Sequence, residues 1–152
     1  MITIEPGEAP ELTALLAQRL YEHNAAATGY HDGESFSAAR RGDDGAVAAG
    51  VSGHTWGGCC YVAQLWVSAA LRGQGIGTRL LEAVERYALG KGCRLVLLAS
   101  HSFQAPGFYA RRGYSKVAEI ENHPVGHSDI FYSKLLSAVP SATGGIATPP
   151  MP

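Results

Sequence analysis

Charge is scarce in this 152-residue chain: only 16% of its residues are Asp, Glu, Lys or Arg. Twelve basic side chains stand against thirteen acidic ones, a formal net charge of −1. No bulk field draws such a protein to phosphate backbones or anionic lipid, so neither a nucleic-acid binder held by charge nor a membrane-surface protein is expected. Long apolar runs are also missing, since nothing approaches the roughly 20 residues a membrane helix needs. The start, MITIEPGEAPELT, has acids and prolines in place of a basic region followed by an apolar one. A soluble, cytoplasmic protein is the expectation. Cys59, Cys60 and Cys93 are an odd set without C-x-x-C spacing, which argues against a disulfide framework and a structural zinc site. They read as buried small hydrophobes, and no metal is expected.

What is present is a core. Hydrophobic residues make up 46% of the chain, and one domain of this length buries roughly 70% of the surface its unfolded form exposes. Glu8 to Asn24 carries Leu12, Leu15, Leu16 and Leu20 at helical spacing, with Pro10 in the first turn. This reads as an amphipathic helix. Gly29 and Gly33 break the pattern and leave Tyr30, His31 and Asp32 in a loop. From Ser35 the period changes. Phe36 and Ala38, the turn Gly42-Asp43-Asp44-Gly45, and Ala46 to Val51 predict a hairpin. Trp56-Gly57-Gly58 turns into Cys59 to Val67, apolar enough to predict a central strand covered on both faces.

After Val67 comes a glycine-rich stretch and then a helix with Leu80, Leu81, Val84, Tyr87 and Ala88 on its inner face, closed by Gly90 and Gly92. Arg94 to Ala99 predicts a buried strand, parallel to the one ending at Val67 because a helix separates them. A short helix over Gln104 to Arg112 and strands over Lys116 to Ile120 and Asp129 to Leu136 complete a domain spanning 1–136. Residues 137–152 differ in kind: Pro140 to Pro152 holds four of the eight prolines and no charged residue. A disordered tail is expected there. The fold class is α/β of the α+β type: a single-domain mixed, mostly antiparallel sheet with flanking helices.

The chemistry concentrates in Leu65 to Thr78, LWVSAALRGQGIGT, where a strand ends in a glycine turn that opens a helix. Glycines let backbone come within reach of a phosphate, and a helix start presents free N–H donors with partial positive charge. Arg72 adds a cationic fork. Together they describe an anion cradle, read here as one for a pyrophosphate. The P-loop pattern is absent because no lysine follows a glycine in the right place. The dinucleotide pattern fails as well: Gly73 and Gly75 are followed by Gly77 and Thr78, and the next strand carries no acid for a ribose. Neither ATP nor NAD fits.

The chain resembles the GNAT superfamily of acyl-CoA-dependent N-acetyltransferases. Its pyrophosphate motif, [QR]-x-x-G-x-[GA], is met by Arg72, Gly75 and Gly77. A second motif, A-x-x-F-Y-x-x-x-G-[FY], is met by Ala105 through Phe108, Tyr109, Gly113 and Tyr114. The resemblance covers roughly Ala46 to Leu136. It implies a V-shaped splay where the strand ending at Val67 parts from the strand ending at Ala99. Acetyl-CoA would lie there as co-substrate, its pantetheine on Leu65, Trp66, Val67 and Ser102, and its pyrophosphate on Arg72, Gly73, Gln74, Gly75, Ile76, Gly77 and Thr78, with Phe108 also beside it. Tyr109 matches the family's tyrosine acid, which protonates the departing thiolate. His54 is the other catalytic candidate, as acceptor of the amine proton. Relatives often carry an acid on the central strand, where this chain reads Tyr61-Val62-Ala63-Gln64.

The expected reaction is acetyl transfer to a primary amine of a small molecule by direct attack in a ternary complex. A protein or peptide N-acetyltransferase and a non-catalytic acyl-CoA-binding module are the alternatives. Other polar residues have plainer readings. His31 and Glu34 sit where a loop closes over the acceptor, or in an ordinary polar loop. His101, His123 and His127 are acceptor-site or structural histidines. Trp56, Tyr61 and Trp66 line a pocket or pack a core. Arg111-Arg112 reads as a solvated helix face, or as a contact to the adenosine 3′-phosphate of the co-substrate. The resemblance also implies a homodimer through the final strand, which offers Ile130, Phe131, Tyr132, Leu135 and Leu136.

Overall fold

Turns and caps fix where each element begins. In the structure, a computed structural model that describes residues 2–137, Gly29 ends the first helix, α1 (Pro10–Thr28). It adopts a left-handed conformation at φ 77° and donates its N–H to the Ala25 carbonyl at 2.8 Å. Then follow β1 (Glu34–Arg41), β2 (Val47–Trp56) and β3 (Cys59–Val67), a single 3-10 turn at Ala69–Leu71, α2 (Ile76–Gly90), β4 (Leu95–His101), α3 (Pro106–Ala110), β5 (Ser115–Glu121) and β6 (Ser128–Leu135). Residues 138–152, which hold nearly all of the expected tail, lie outside the described residues.

The strands form one sheet in the order β1-β2-β3-β4-β6-β5. Every neighbouring pair is antiparallel except β3 and β4, the pair that α2 connects. This is the mixed sheet expected from the sequence. β3 and β4 pair only from Cys59↔Leu95 to Val62↔Leu98. The next residue of β3, Ala63, is an extra one against β2, whose Gly53 faces Val62 and whose Ser52 faces Gln64. A bulge bends its strand, and here it coincides with the point where β3 leaves β4. β4 continues alongside β6 as far as His101↔Asp129. The sheet therefore opens between two strands that each keep their outer partner.

One face of the sheet carries the core. Leu81, Val84 and Ala88 of α2 pack with Val51, Cys60, Val62, Val96, Leu98, Ile130 and Tyr132, and Tyr109 and Tyr114 fill the same cluster. Glu85 of α2 ties this layer together. It accepts from the Tyr114 hydroxyl at 3.0 Å and from Lys134 Nζ at 2.9 Å. At the far end of α2, Glu34 accepts from Tyr87 at 3.0 Å and pairs with Lys91 at 2.5 Å.

Three expectations need correcting. β3 is covered on one face only: Cys60 and Val62 are buried, whereas Tyr61, Gln64 and Trp66 face outward and are exposed. The physical reason lies in α1. Its root is fixed by Tyr21, whose hydroxyl accepts from the Gly33 N–H at 3.1 Å, by Trp56 Nε1 donating to the Tyr30 carbonyl at 3.0 Å, and by Asp32 accepting from the Gly57 N–H at 3.0 Å. The helix leaves the domain from that root. Leu12, Leu15, Leu16 and Leu20 are all about half exposed or more, and Ala25 is the helix's one buried residue. Thus the predicted amphipathic helix exists, but its apolar stripe is not spent on the core. Finally, β6 offers less free surface than expected, because Ile130, Tyr132 and Leu136 are buried in the chain's own core.

Candidate active site

The mouth of the opening is built from the segment joining β3 to α2. Arg72 folds back so that its Nε donates to the Val67 carbonyl at 3.1 Å, and Gln74 Nε2 donates to the Ala70 carbonyl at 3.0 Å. These bonds pin the turn to the strand it follows. Gly73 and Gly75 take φ values of 75° and 74°, a left-handed conformation that costs an L side chain about 1–2 kcal/mol. A Cβ on either would meet nothing within 4 Å, so the concavity is open. The first bond of α2 runs from the Arg79 N–H to the Gly75 carbonyl at 3.1 Å. The N–H groups of Ile76, Gly77 and Thr78 are thus left without helical partners. No acid lies in that first turn to neutralise them.

Arg112 braces the cradle from behind. Its Nε donates to Thr78 Oγ1 at 2.9 Å and its Nη2 reaches the same oxygen, while Nη1 donates to the Phe108 carbonyl at 2.8 Å. The guanidinium carbon stands 3.7 Å from the centre of the Phe108 ring. The expected solvated arginine pair is therefore corrected at Arg112. Thr78 accepts twice, and its own hydroxyl proton is free to donate outward. Gly77 is a glycine for reasons of space: a Cβ there would lie 3.3 Å from Phe108 Cζ. Phe108 thus supports the cradle through Gly77.

Tyr109 is 8% exposed, at the edge of the aromatic layer formed with Phe108, Tyr114 and Tyr132 at centroid distances of 5.0, 6.0 and 5.8 Å. Tyr132 is the β6 partner of Leu98, the last residue of β4 that pairs with β3. Tyr109 thus stands on the covered face near the level where the strands part. Among the described residues no side-chain hydrogen bond engages its hydroxyl. Burial first, then the neighbouring Tyr132, pushes its pKa above the ordinary 10.0. The phenol remains protonated at neutral pH and has a proton to give.

Beyond Leu98, β4 carries His101 on the wall of the opening. Its Nδ1 is buried without a hydrogen-bond partner among the described residues, and Asp129 Oδ1 lies 3.7 Å away. Phe103 stacks on the ring at 5.2 Å with planes 8° apart, His123 lies at 5.6 Å, and His127 meets Phe103 edge-on at 4.9 Å. Ser102 clamps the strand ends: its N–H donates to the Ser128 carbonyl at 2.8 Å and its hydroxyl accepts from the Ser128 N–H at 3.0 Å.

The structure gathers Leu65, Trp66, Val67 and Arg72 through Thr78 along one side of the opening, with Ser102 on the other. His54 is exposed on β2 beside Tyr61, 5.5 Å between ring centres, so β3 stands between it and the opening. Glu34 and Trp56 stand away from the opening, and His31 lies in the segment between α1 and β1. Glu34 is paired with Thr55 and Trp56 with Cys59, at the end of the sheet away from Val67. The juxtaposition of His101 and Asp129 was missed, because only the β4–β6 register makes them neighbours. The alternation of RLVLLASH was the available signal for which face His101 takes.

Comparison with known proteins agrees with this geometry. The profile of the Acetyltransferase (GNAT) family matches residues 4–114. Over 86 residues the chain is 41% identical to the blasticidin-S acetyltransferase of Streptomyces morookaense, a match covering 56% of this chain and 63% of that protein's length. It is 33% identical over 115 residues to acetyltransferase Atu2258 of Agrobacterium fabrum (strain C58 / ATCC 33970), covering 76% of this chain and 84% of that one. The crystal structure of an acetyltransferase from Bacillus cereus ATCC 14579 superposes with a TM-score of 0.74 at 33% identity, over 89% of this chain and 98% of the other. The chain belongs to the GNAT family of acetyltransferases and is an acyl-transferring enzyme.

Proposed function

We propose that the protein transfers the acetyl group of acetyl-CoA to a primary amine of a small molecule, by direct attack within a ternary complex. One observation carries this reading. An open cradle of backbone donors from Arg72 to Thr78 lies at the mouth of a sheet opening whose covered face holds a protonated phenol, Tyr109. Acetyl-CoA supplies the activated acyl group. Arg72 and the first N–H groups of α2 hold its pyrophosphate. The β4-facing edge of Leu65 to Val67 has no strand partner and pairs with the extended pantetheine, as unpaired strand edges do. Ser102, on the opposite wall, offers its hydroxyl proton to the same arm.

In the chemical step the amine nitrogen bonds to the thioester carbonyl, whose developing oxyanion is met by backbone N–H near Val67. The carbon–sulfur bond then breaks, and Tyr109 protonates the thiolate. The amine proton leaves toward the open face of the sheet, which carries His54 and His101. The Cys60 thiol is no covalent carrier, since burial pushes its pKa up to about 12. A small acceptor is supported by the 41% identity to an enzyme named for acetylating blasticidin S.

The test is release of free CoA thiol from acetyl-CoA against a panel of small amines that includes blasticidin S, with acetyl-CoA binding followed by calorimetry. Amine-dependent release is expected. Tyr109→Phe should keep binding and lose about 10²- to 10⁴-fold in turnover, or about 3–5 kcal/mol. Unchanged turnover in that variant removes Tyr109 from the mechanism. Failure of the wild-type protein to bind acetyl-CoA would overturn the cradle itself.

A further inference from the structure

We propose that His101 takes the proton of the acceptor amine, and that Asp129 holds its imidazole in the tautomer able to do so. This inference rests on the acetyl-transfer reading above. The side chains of Leu97, Ala99 and His101 alternate with those of Val96, Leu98 and Ser100, so His101 belongs to the open face and Tyr109 to the covered one. A substrate amine approaching from the open face thus meets an imidazole on its own side, with the phenol that serves the leaving sulfur on the other.

The ring is flanked by aromatic neighbours. Phe103 stacks on it at 5.2 Å and His123 flanks it at 5.6 Å, while the backbone N–H of His101 donates to Gln104 Oε1 at 2.9 Å and anchors the strand end. Nδ1 is buried without a partner, and a buried ring nitrogen left unpaired is costly. Asp129 Oδ1, 3.7 Å away, is the carboxylate that faces it. A small rotation of either side chain closes that gap to a hydrogen bond. A carboxylate beside Nδ1 selects the Nδ1–H tautomer, which leaves the Nε2 lone pair as the base. The charged or titratable groups around the ring are Asp129 from β6 and His123 from the β5–β6 loop, with His127 behind Phe103; no lysine or arginine is among them. His54 has no such arrangement: it is exposed on β2 beside the Tyr61 ring and opposite Ser35, and among the described residues no carboxylate pairs with it.

The step balances simply. As the amine nitrogen forms its bond to the acetyl carbon, its N–H proton passes to Nε2. As the carbon–sulfur bond breaks, the electron pair goes to sulfur, which receives the Tyr109 proton. Solvent then removes the proton from Nε2 and restores the phenol.

The test compares His101→Gln, His101→Asn, Asp129→Asn and His54→Gln in the full chain, measuring kcat at saturating amine from pH 5.5 to 9.5 and acetyl-CoA affinity by calorimetry. His101→Asn is the informative control, because its amide donates toward Asp129 as Nδ1–H does and yet supplies no base. Both His101 variants should lose about 10²- to 10⁴-fold in kcat with acetyl-CoA affinity within about twofold, and should lose the fall in kcat at acid pH that protonation of a histidine imposes. Asp129→Asn should cost about 10- to 100-fold in kcat, the range seen when an orienting partner is removed, with acetyl-CoA affinity within about twofold. Restoration of wild-type kcat by His101→Asn would show a merely structural histidine and overturn the proposal. So would an acid fall that vanishes in His54→Gln instead. A wild-type protein without amine-dependent thiol release would sink the acetyl-transfer reading, a result distinct from active His101 variants.

Discussion

The two faces of the sheet alternate along the same strands, one residue out of step, and they end up unlike. The covered face carries Cys60, Val62, Val96 and Leu98 beneath α2, together with the phenols of Tyr109, Tyr114 and Tyr132. The open face carries Tyr61, Gln64, Trp66, Leu97 and His101, and the helix that might have lain over it stands away. Apolar contact is therefore concentrated on one side. The other leaves Tyr61, Gln64 and Trp66 exposed and His101 partly so. On the proposed mechanism, this asymmetry puts the acid on the packed face and the base on the open one.

The contrast is most sharply tested in the core. Leu81 is 1% exposed and sits in the middle of the α2 layer, so Leu81→Ala should cost about 2–5 kcal/mol, read from urea or thermal unfolding. A loss below about 1 kcal/mol would mean that the covered face is loosely packed. Next comes the polar tie of the same layer. Glu85 accepts from Tyr114 and from both approaches of Lys134, at 3.0, 2.9 and 2.9 Å, with its side chain and that of Lys134 both mostly buried. Glu85→Gln should cost about 1–3 kcal/mol, because it leaves a charged amine without its counter-ion.

The covered face also predicts a response to alkali. Burial pushes Cys60 from the ordinary 9.0 up to about 12, and burial with the nearby Glu85 pushes Tyr114 well above the phenol range. Both groups hold their protons in the fold and release them more readily when unfolded. Stability from this source is complete below about pH 9 and declines as pH rises toward 12. Melting temperature should fall across that window, and less so in Cys60→Ala after allowance for its lower starting stability. A melting temperature flat to pH 12 would contradict the burial of these groups.

How much of this was legible in the sequence depends on the range of the interaction. The cradle was legible, since Arg72, Gly75 and Gly77 are neighbours in the chain and the glycine conformations are local. So was Tyr109, through its fixed place in a short motif. The parallel β3–β4 pair followed from the helix between its strands, whereas the insertion of β6 between β4 and β5 had no local signal. The resemblance implied a parting of β3 from β4 without its position, and it begins at the bulge on Ala63, a feature of register that no local pattern announces. Arg112 and the His101–Asp129 neighbourhood escaped for a related reason. Thr78 and Phe108 claim the guanidinium only once α2 and α3 are packed side by side.

The smallest expected effect bears on the least expected element. Leu12, Leu15, Leu16 and Leu20 recur as a core-facing stripe should, and yet Leu16 is 53% exposed. The hydrogen bonds of Tyr21, Trp56 and Asp32 hold the root of α1 in a direction that takes the stripe off the sheet. Leu16→Ala therefore removes little buried surface and should shift stability by no more than about 0.5 kcal/mol. The measurement belongs beside Leu81→Ala, under identical conditions and at two protein concentrations. A loss above about 2 kcal/mol at both would place the stripe against the chain's own open face. A loss that grows with concentration would instead show it covered by a second copy, and in either case His54 and His101 would share their face with a helix.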